Sequence, residues 1–141
     1  MLTQSFTKEA KAFMKFLKKE FPLNNQGHKI VTHYSDATKV KSYCKKGSAS
    51  LLNTVTDGYA AGCVRSKPGT STIRLACGRN NMVVVLRTLA HEYGHVKHYA
   101  DDLPDYGTSD MMRKEAVAND FMRKATKRYW EVNGIDWGSL L

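Results

Sequence analysis

The sequence predicts an α+β domain in which a short mixed sheet packs against three helices. Three long segments, residues 3–20, 81–100 and 110–132, place apolar residues on one face at helical spacing. Between them lie short segments rich in β-branched residues and bounded by turn residues, which is typical of strands. At 141 residues the chain is long enough for one domain with its own core, so we predict a single domain over residues 1–141.

The first predicted helix, residues 3–20, is amphipathic and ends before Pro22, which cannot continue a helix. Its lysines and its apolar residues lie on opposite faces. The apolar face comprises Phe6, Ala10, Phe13 and Leu17. We expect this helix to pack on the core and to keep its lysines in water.

The middle of the chain predicts strands. Residues 29–34 and 51–55 are short and apolar or β-branched, and residues 59–65 and 71–77 flank the turn sequence Lys67-Pro68-Gly69, which predicts a hairpin. The second hairpin strand leads through Gly78 into the next helix, so we expect this strand to lie beside the functional residues of that helix. His28 and His33 have no ligand-like partner nearby and are interpreted as surface or structural histidines.

The helix over residues 81–100 contains His91-Glu92-Tyr93-Gly94-His95, the pattern H-E-x-x-H. At about 100° per residue, His95 lies about 40° from His91 around the helix, so two imidazoles can close on one tetrahedral Zn²⁺. Glu92 lies about 100° away, beside the metal, where a general base for a water molecule would stand. Asn80 or Asn81 can cap the start of this helix.

Two histidines leave the metal site incomplete, because a catalytic zinc has three protein ligands and one open position. The leading candidates for the third ligand are Glu115 and His98. Glu115 lies on a weakly charged stripe of the last helix, where a carboxylate is out of place unless a cation meets it. His98 would put three ligands on one helix and enclose the metal poorly, so Glu115 ranks higher. Asn119, one turn after Glu115, can hold a free ring nitrogen of either motif histidine.

These two stretches together resemble the ImmA/IrrE-type zinc metallopeptidases, which are gluzincin-like proteins. That family has H-E-x-G-H followed by E-x-x-A-N-x-F, and this chain has His91 to His95 followed by Glu115 to Phe121. The resemblance covers residues 71–125. It implies a small zincin-like fold, zinc ligands at His91, His95 and Glu115, the base at Glu92, and a sheet whose edge strand pairs with the substrate.

The predicted function is therefore a zinc-dependent metallopeptidase that hydrolyses peptide bonds with a zinc-bound water activated by Glu92. The candidates for stabilising the oxyanion are Tyr129, His98 and Tyr106. Residues 71–77, centred on Ile73, Arg74 and Leu75, are expected to bind an extended protein or peptide substrate by strand addition.

Charge leaves a second class of function open. The net charge is +9, and residues 1–50 hold ten Lys or Arg against three Asp or Glu. Such a basic half suits nucleic acid, although a solvated lysine face is the commoner case. The alternatives are thus an SprT-like, DNA-associated protease with a third histidine ligand, or a non-enzymatic basic domain that binds nucleic acid or protein and has a structural zinc.

Location and assembly are also predicted from composition. The sequence has no apolar stretch of membrane-spanning length and no signal-peptide core, which favours a cytoplasmic protein without membrane contact. Cys44, Cys63 and Cys77 are odd in number and widely spaced, so we expect reduced thiols rather than a disulfide framework. The expected assembly state is a monomer.

Overall fold

The computed structural model describes residues 5–35, 62–78, 82–101 and 111–134 of the chain. These ranges form three helices and a short three-stranded mixed sheet, so the predicted α+β fold class is confirmed. The elements in chain order are α1 (Thr7–Glu20), β1 (Lys29–Ser35), β2 (Gly62–Lys67), β3 (Thr70–Ala76), α2 (Met82–Ala100) and α3 (Met111–Asn133). The predicted strand at 51–55 and the cap candidates Asn80 and Asn81 lie outside the described ranges.

Helix α1 follows the predicted amphipathic pattern but begins later. Its buried residues are Ala10, Phe13, Met14 and Leu17. The helix starts at Thr7 because the preceding residues join the sheet: the Phe6 amide donates to the Cys77 carbonyl at 3.0 Å, and Ser5 forms a bridge with Gly78. Backbone groups used in this way are not available to a further helical turn.

The sheet has the order β1-β3-β2, with β3 parallel to β1 and antiparallel to β2. The hairpin turns at Pro68 and Gly69, and the φ of +87° at Gly69 is a left-handed conformation that glycine adopts without strain. The hairpin prediction is confirmed. Because β3 is paired along both sides, no backbone edge of it is open, and the predicted strand addition at Ile73, Arg74 and Leu75 is wrong.

The core lies between the inner face of the sheet and the helices, and α2 runs through its centre. The predicted apolar stripe of α2 comprises Met82, Leu86, Leu89, Tyr93 and Val96. Met82, at the start of the helix, is partly buried, and the other four are almost completely buried. The opposite face of α2 is also buried, because α3 packs along it. The chemistry-bearing face of this helix is therefore enclosed between two helices rather than open along its length.

Tyr93 ties α2 to the end of α1. Its hydroxyl donates to the Phe21 carbonyl at 2.6 Å, and burial raises the pKa of Tyr93, followed in effect by the charge of Asp101. The hydroxyl therefore stays a neutral donor at every ordinary pH. This bond contributes to the orientation of α2, and so to the direction in which its histidines point.

The cysteines depart in part from the expected reduced set. Cys77 is a free, buried thiol whose pKa is raised by burial, but Cys63 on β2 is disulfide-bonded. The expectation of reduced thiols is therefore wrong for Cys63. Because disulfides are uncommon in reducing compartments, the bonded state of Cys63 does not support the predicted cytoplasmic location, which stays a prediction. Among the described residues, no helix combines the length and apolar character needed to cross a membrane.

Candidate metal centre

Three side chains from two helices converge on one point. The Nε2 atoms of His91 and His95 lie 3.2 Å apart. The two carboxylate oxygens of Glu115 lie 2.7 Å from the His91 Nε2 and 3.2 Å from the His95 Nε2. The rings of the two histidines stand nearly perpendicular, at 83°. Each group thus aims a potential ligand atom at the same small volume.

The size of this triangle fits a zinc ion. Bonds of about 2.0–2.1 Å in tetrahedral geometry separate neighbouring ligand atoms by roughly 3.3 Å. The observed separations of 2.7 to 3.2 Å are close to that value and need only a small expansion. Two imidazoles and a carboxylate are also ligand types that catalytic zinc takes.

The helices position these groups through simple periodicity. His91 and His95 are four residues apart on α2 and so lie on one face of it. Glu115 lies in the second turn of α3 and is 4% exposed. The stripe predicted for α3 comprises Glu115, Asn119, Met122 and Thr126. Glu115 and Met122 are buried and the other two are partly buried, whereas Lys124 and Arg128 on the other side are exposed.

Asn119 orients the first histidine. Its Oδ1 lies 2.8 Å from the His91 Nδ1 and accepts a hydrogen bond when that nitrogen carries its proton. With Nδ1 protonated, the lone pair of the neutral ring is on Nε2, which points toward His95 and Glu115. The sequence predicted this partner for one of the two histidines, and the structure assigns it to His91.

The electrostatics of the site favour positive charge. Burial alone would lower the pKa of His91, but the hydrogen bond with Glu115 and the negative charges of Glu92 and Glu115 outweigh it, so the pKa is raised. Two buried carboxylates beside two histidines form a pocket that stabilises a cation. A dication supplies that charge more completely than a single proton does.

Glu92 is the fourth member of the group. It is 1% exposed, and ligand-type atoms of His91, Glu92 and His95 lie within 4.8 Å of one another. It follows His91 directly on α2, so it points to the side of the face that carries both histidines. A carboxylate there can exchange a proton with a molecule held at the point of convergence.

The remaining predicted site residues are distributed differently. His98 lies on α2 one turn beyond His95 and is buried, at 2% exposed. Tyr129 is about 21 Å along α3 from Glu115, since a helix rises about 1.5 Å per residue. Its ring packs against Phe13 and Phe16 of α1, at centroid distances of 4.6 and 4.8 Å. Tyr129 is therefore wrong as an oxyanion donor, and Tyr106 lies outside the described residues.

The two other histidines are as expected. His28 is buried and its Nε2 is hydrogen-bonded to the Ser71 hydroxyl at 2.8 Å, which is a structural role. His33 is exposed on β1.

Gly94, between the two motif histidines, has a role that the sequence reasoning missed. A Cβ placed there would lie 3.2 Å from the Ala118 Cα and 3.2 Å from the Phe121 Cβ, so α2 and α3 touch through this glycine. Glycine in the middle of a helix costs about 1 kcal/mol relative to alanine. An unfavourable glycine in an otherwise good helix is the sequence feature that could have indicated this close contact between helices.

Gly94→Ala should weaken zinc binding more than it weakens the fold. The gain in helix propensity offsets part of the overpacking cost of about 1–3 kcal/mol. The clash, however, pushes away the segment of α3 that begins one turn after Glu115. We expect zinc affinity to fall by an amount comparable to losing a supporting hydrogen bond, roughly 10–100-fold. Chelator competition measures it, with Gly27→Ala as control because its new Cβ meets only the Asn25 Oδ1 at 3.5 Å. Equal affinities in the two variants would contradict this account of the helix contact.

Comparison of the chain with family models, with curated proteins and with solved structures gives no significant match. The resemblance to ImmA/IrrE-type peptidases therefore rests on the motif residues, and the argument for function rests on the site itself.

Proposed function

We propose that the protein is a zinc-dependent metallopeptidase. The observation that carries the proposal is the convergence of His91, His95 and Glu115 at 2.7 to 3.2 Å, with Glu92 buried beside them. A structural zinc usually has four protein ligands and is rich in cysteine. Here three groups converge, and the fourth neighbour is the Glu92 carboxylate, for which we propose the role of base.

The residues of the proposed site have two kinds of role, metal binding and proton transfer. His91, His95 and Glu115 would hold the ion, and Asn119 would keep His91 in the tautomer that presents Nε2. When bound, zinc supplies Lewis acidity, which polarises the scissile carbonyl and lowers the pKa of a water molecule toward neutrality. Glu92 takes the proton of the attacking water and passes it to the leaving amine.

The burial of the site supports these roles. Burial lowers the local dielectric and strengthens each charge interaction within the site. His95 is the most open of the three proposed ligands, with a side chain 17% exposed against 2% for His91 and 6% for Glu115. We therefore propose that substrate reaches the site from the His95 side.

The sheet topology changes which strand we expect to pair with the substrate. Within the described residues, β2 is the outer strand of the sheet on the side of β3 away from β1, and its outer edge pairs with no other strand. Its first residue, Gly62, approaches α2 so closely that a Cβ would lie 3.0 Å from the Thr88 Cγ2, one turn before His91. We propose β2 in place of β3 as the strand along which an extended peptide adds.

The purified protein should hold about one zinc per chain, because the ligand set is complete for one ion and its charge suits a dication. Elemental analysis after gentle purification without chelators measures this. The matched variant is His91→Ala/His95→Ala, which should hold no stoichiometric metal. A parent protein that is metal-free and takes up no added Zn²⁺ contradicts the proposal at its first step.

Hydrolysis is tested separately from metal content. The zinc-loaded protein is incubated with a diverse peptide library and the products are identified by mass spectrometry. We expect new amino termini that are absent from the chelator-treated control. Stoichiometric zinc with no cleavage in the library would favour a zinc-holding domain without peptidase activity.

A further inference from the structure

A cleft of about 260 Å³ lies beside α2, away from the two motif histidines. Its floor is formed by apolar or aromatic side chains that are buried or half-buried, namely Leu23, Ile30 and Tyr93. Tyr93 lies about 160° around α2 from both His91 and His95, because two residues of a helix turn through about 200°. The cleft is therefore on the opposite side of α2 from the metal centre.

The loop between α1 and β1 forms the walls of the cleft, and the end of α2 anchors this loop. The Asp101 carboxylate accepts hydrogen bonds from the backbone amides of Asn24 and Asn25, at 2.9 and 3.3 Å. The Lys97 ammonium donates to the Pro22 carbonyl at 3.1 Å and to the Asp101 carboxylate at 3.0 Å. The charge of Asp101 is thus compensated within the anchor. A cleft whose walls are already held in place loses little entropy when a ligand binds.

A buried imidazole lines the cleft. His28 is 7% exposed, its Nε2 lies 2.8 Å from the Ser71 Oγ, and that oxygen lies 2.7 Å from the Ser66 Oγ. Within the described part of the chain, the His28 Nδ1 has no hydrogen-bond partner. When Ser66 donates to Ser71 and Ser71 donates to the Nε2, the Nδ1 of the neutral ring carries the proton and is a donor. Because buried donors are normally satisfied, this N–H favours a ligand with an acceptor oxygen.

The mouth of the cleft is positively charged. Lys18, in the last turn of α1, lines the cleft and is exposed, as is the amide side chain of Gln26. Neither Asp nor Glu is among the described residues that line the cleft. A ligand in this cleft therefore meets a cation at the mouth, an N–H donor on the wall and an apolar floor.

We propose that this cleft binds a small carboxylic acid with an apolar body, in its ionised form. The carboxylate accepts from Lys18 and from the His28 Nδ1, and the apolar body packs against Leu23, Ile30 and Tyr93. One cation and one N–H donor match the single negative charge of a carboxylate. Ligand pockets usually measure about 300–1,000 Å³, so a cleft of this size suits a ligand smaller than a typical drug. The proposal does not depend on peptidase activity.

The test titrates the full-length protein, as purified, with phenylacetate and follows its backbone amide signals by NMR. Phenylacetamide is the matched compound, because it has the same ring without the charge. Lys18→Gln removes the cation at the mouth, and Lys19→Gln is the control at a neighbouring exposed lysine that does not line the cleft. His28→Phe keeps an aromatic ring and removes both ring nitrogens. Circular dichroism establishes whether each variant is folded.

Phenylacetate should cause saturable shifts of the amide signals of the loop between α1 and β1. Phenylacetamide should bind about tenfold more weakly or worse, because it lacks the charge-assisted hydrogen bonds. Lys18→Gln should weaken phenylacetate binding by about two- to fivefold, since an exposed charge is screened by water, and Lys19→Gln should bind as the parent does. His28→Phe should weaken binding by about tenfold or more, because the ligand loses its buried donor.

Three outcomes would overturn the proposal. They are no saturable shift with phenylacetate, equal affinities for the acid and the amide, and equal losses in Lys18→Gln and Lys19→Gln. These measurements decide the proposal even where His28→Phe does not fold.

A last variant separates the cleft from the metal centre, where a carboxylate could also bind. His91→Ala/His95→Ala should bind phenylacetate as the parent does. Loss of binding in this variant would place the carboxylate at the metal centre and overturn the proposal. Neither zinc content nor peptide cleavage enters these measurements, so this proposal and the proposed function fail independently.

Discussion

Glu115→Ala should lose zinc, while His98→Ala should keep it. Glu115 would bring a negative charge to the dication and close the site from a second helix, and its oxygens lie 2.7 and 3.2 Å from the two Nε2 atoms. Loss of a supporting partner of a ligand costs roughly 10–100-fold in metal affinity, and loss of a direct ligand should exceed that. Zinc affinity by chelator competition on the two single variants measures the difference.

Two further variants provide reference values of zinc affinity for this comparison. Asn119→Ala removes only the partner of the His91 Nδ1 and should fall between the parent and Glu115→Ala. Glu131→Ala makes the same substitution at an exposed carboxylate of the same helix, which pairs only loosely with Arg128 at 4.0 Å, and should match the parent. If His98→Ala empties the site and Glu115→Ala does not, the ligands are three histidines, and the SprT-like alternative replaces the proposed family.

The loss of zinc should also lower the free energy of unfolding in Glu115→Ala, because metal-binding free energy adds to folding free energy. In the proposed site Glu115 would join α3 to α2 through the ion. We therefore expect the melting temperature of Glu115→Ala to lie below that of the zinc-loaded parent. With excess chelator, the parent and the variant should melt at closer temperatures.

Glu92→Gln should keep the metal and lose hydrolysis. The amide has nearly the shape of the carboxylate, but it cannot take a proton from water. General-base catalysis contributes typically 10²–10⁴-fold, so the rate constant for peptide cleavage should fall by about that factor. The measurement is the rate of a peptide cleavage found in the library screen, with zinc content determined on the same sample.

The control for Glu92→Gln is Glu131→Gln, the same change at an exposed residue far along α3. It should cleave at the parental rate. A Glu92→Gln protein that retains both zinc and the parental rate would remove Glu92 from the role of base. A Glu92→Gln protein that loses zinc would place Glu92 among the ligands, as its proximity to both histidines permits.

Local periodicity made much of this protein predictable. The spacing of His91 and His95 puts both on one face of any α-helix, whatever surrounds it. In the same way, the pattern of apolar residues in α1 and the Pro-Gly turn of the hairpin depend on residues close together in the sequence. The stripe on α3 that carries Glu115 and Asn119 follows the same rule. These predictions were confirmed because backbone geometry alone decides them.

The sequence by itself thus determined the helices, the hairpin and the pair of histidines, whereas long-range packing decided the rest. That β3 is the central strand depends on its pairing with β1, more than thirty residues earlier in the chain, and no local pattern encodes that register. The position of Tyr129 depends on which part of α3 packs against α1. The packing of α3 along α2, including the contact at Gly94, brings the Glu115 carboxylate to the histidines, because ligands on different helices meet only where the tertiary structure places them.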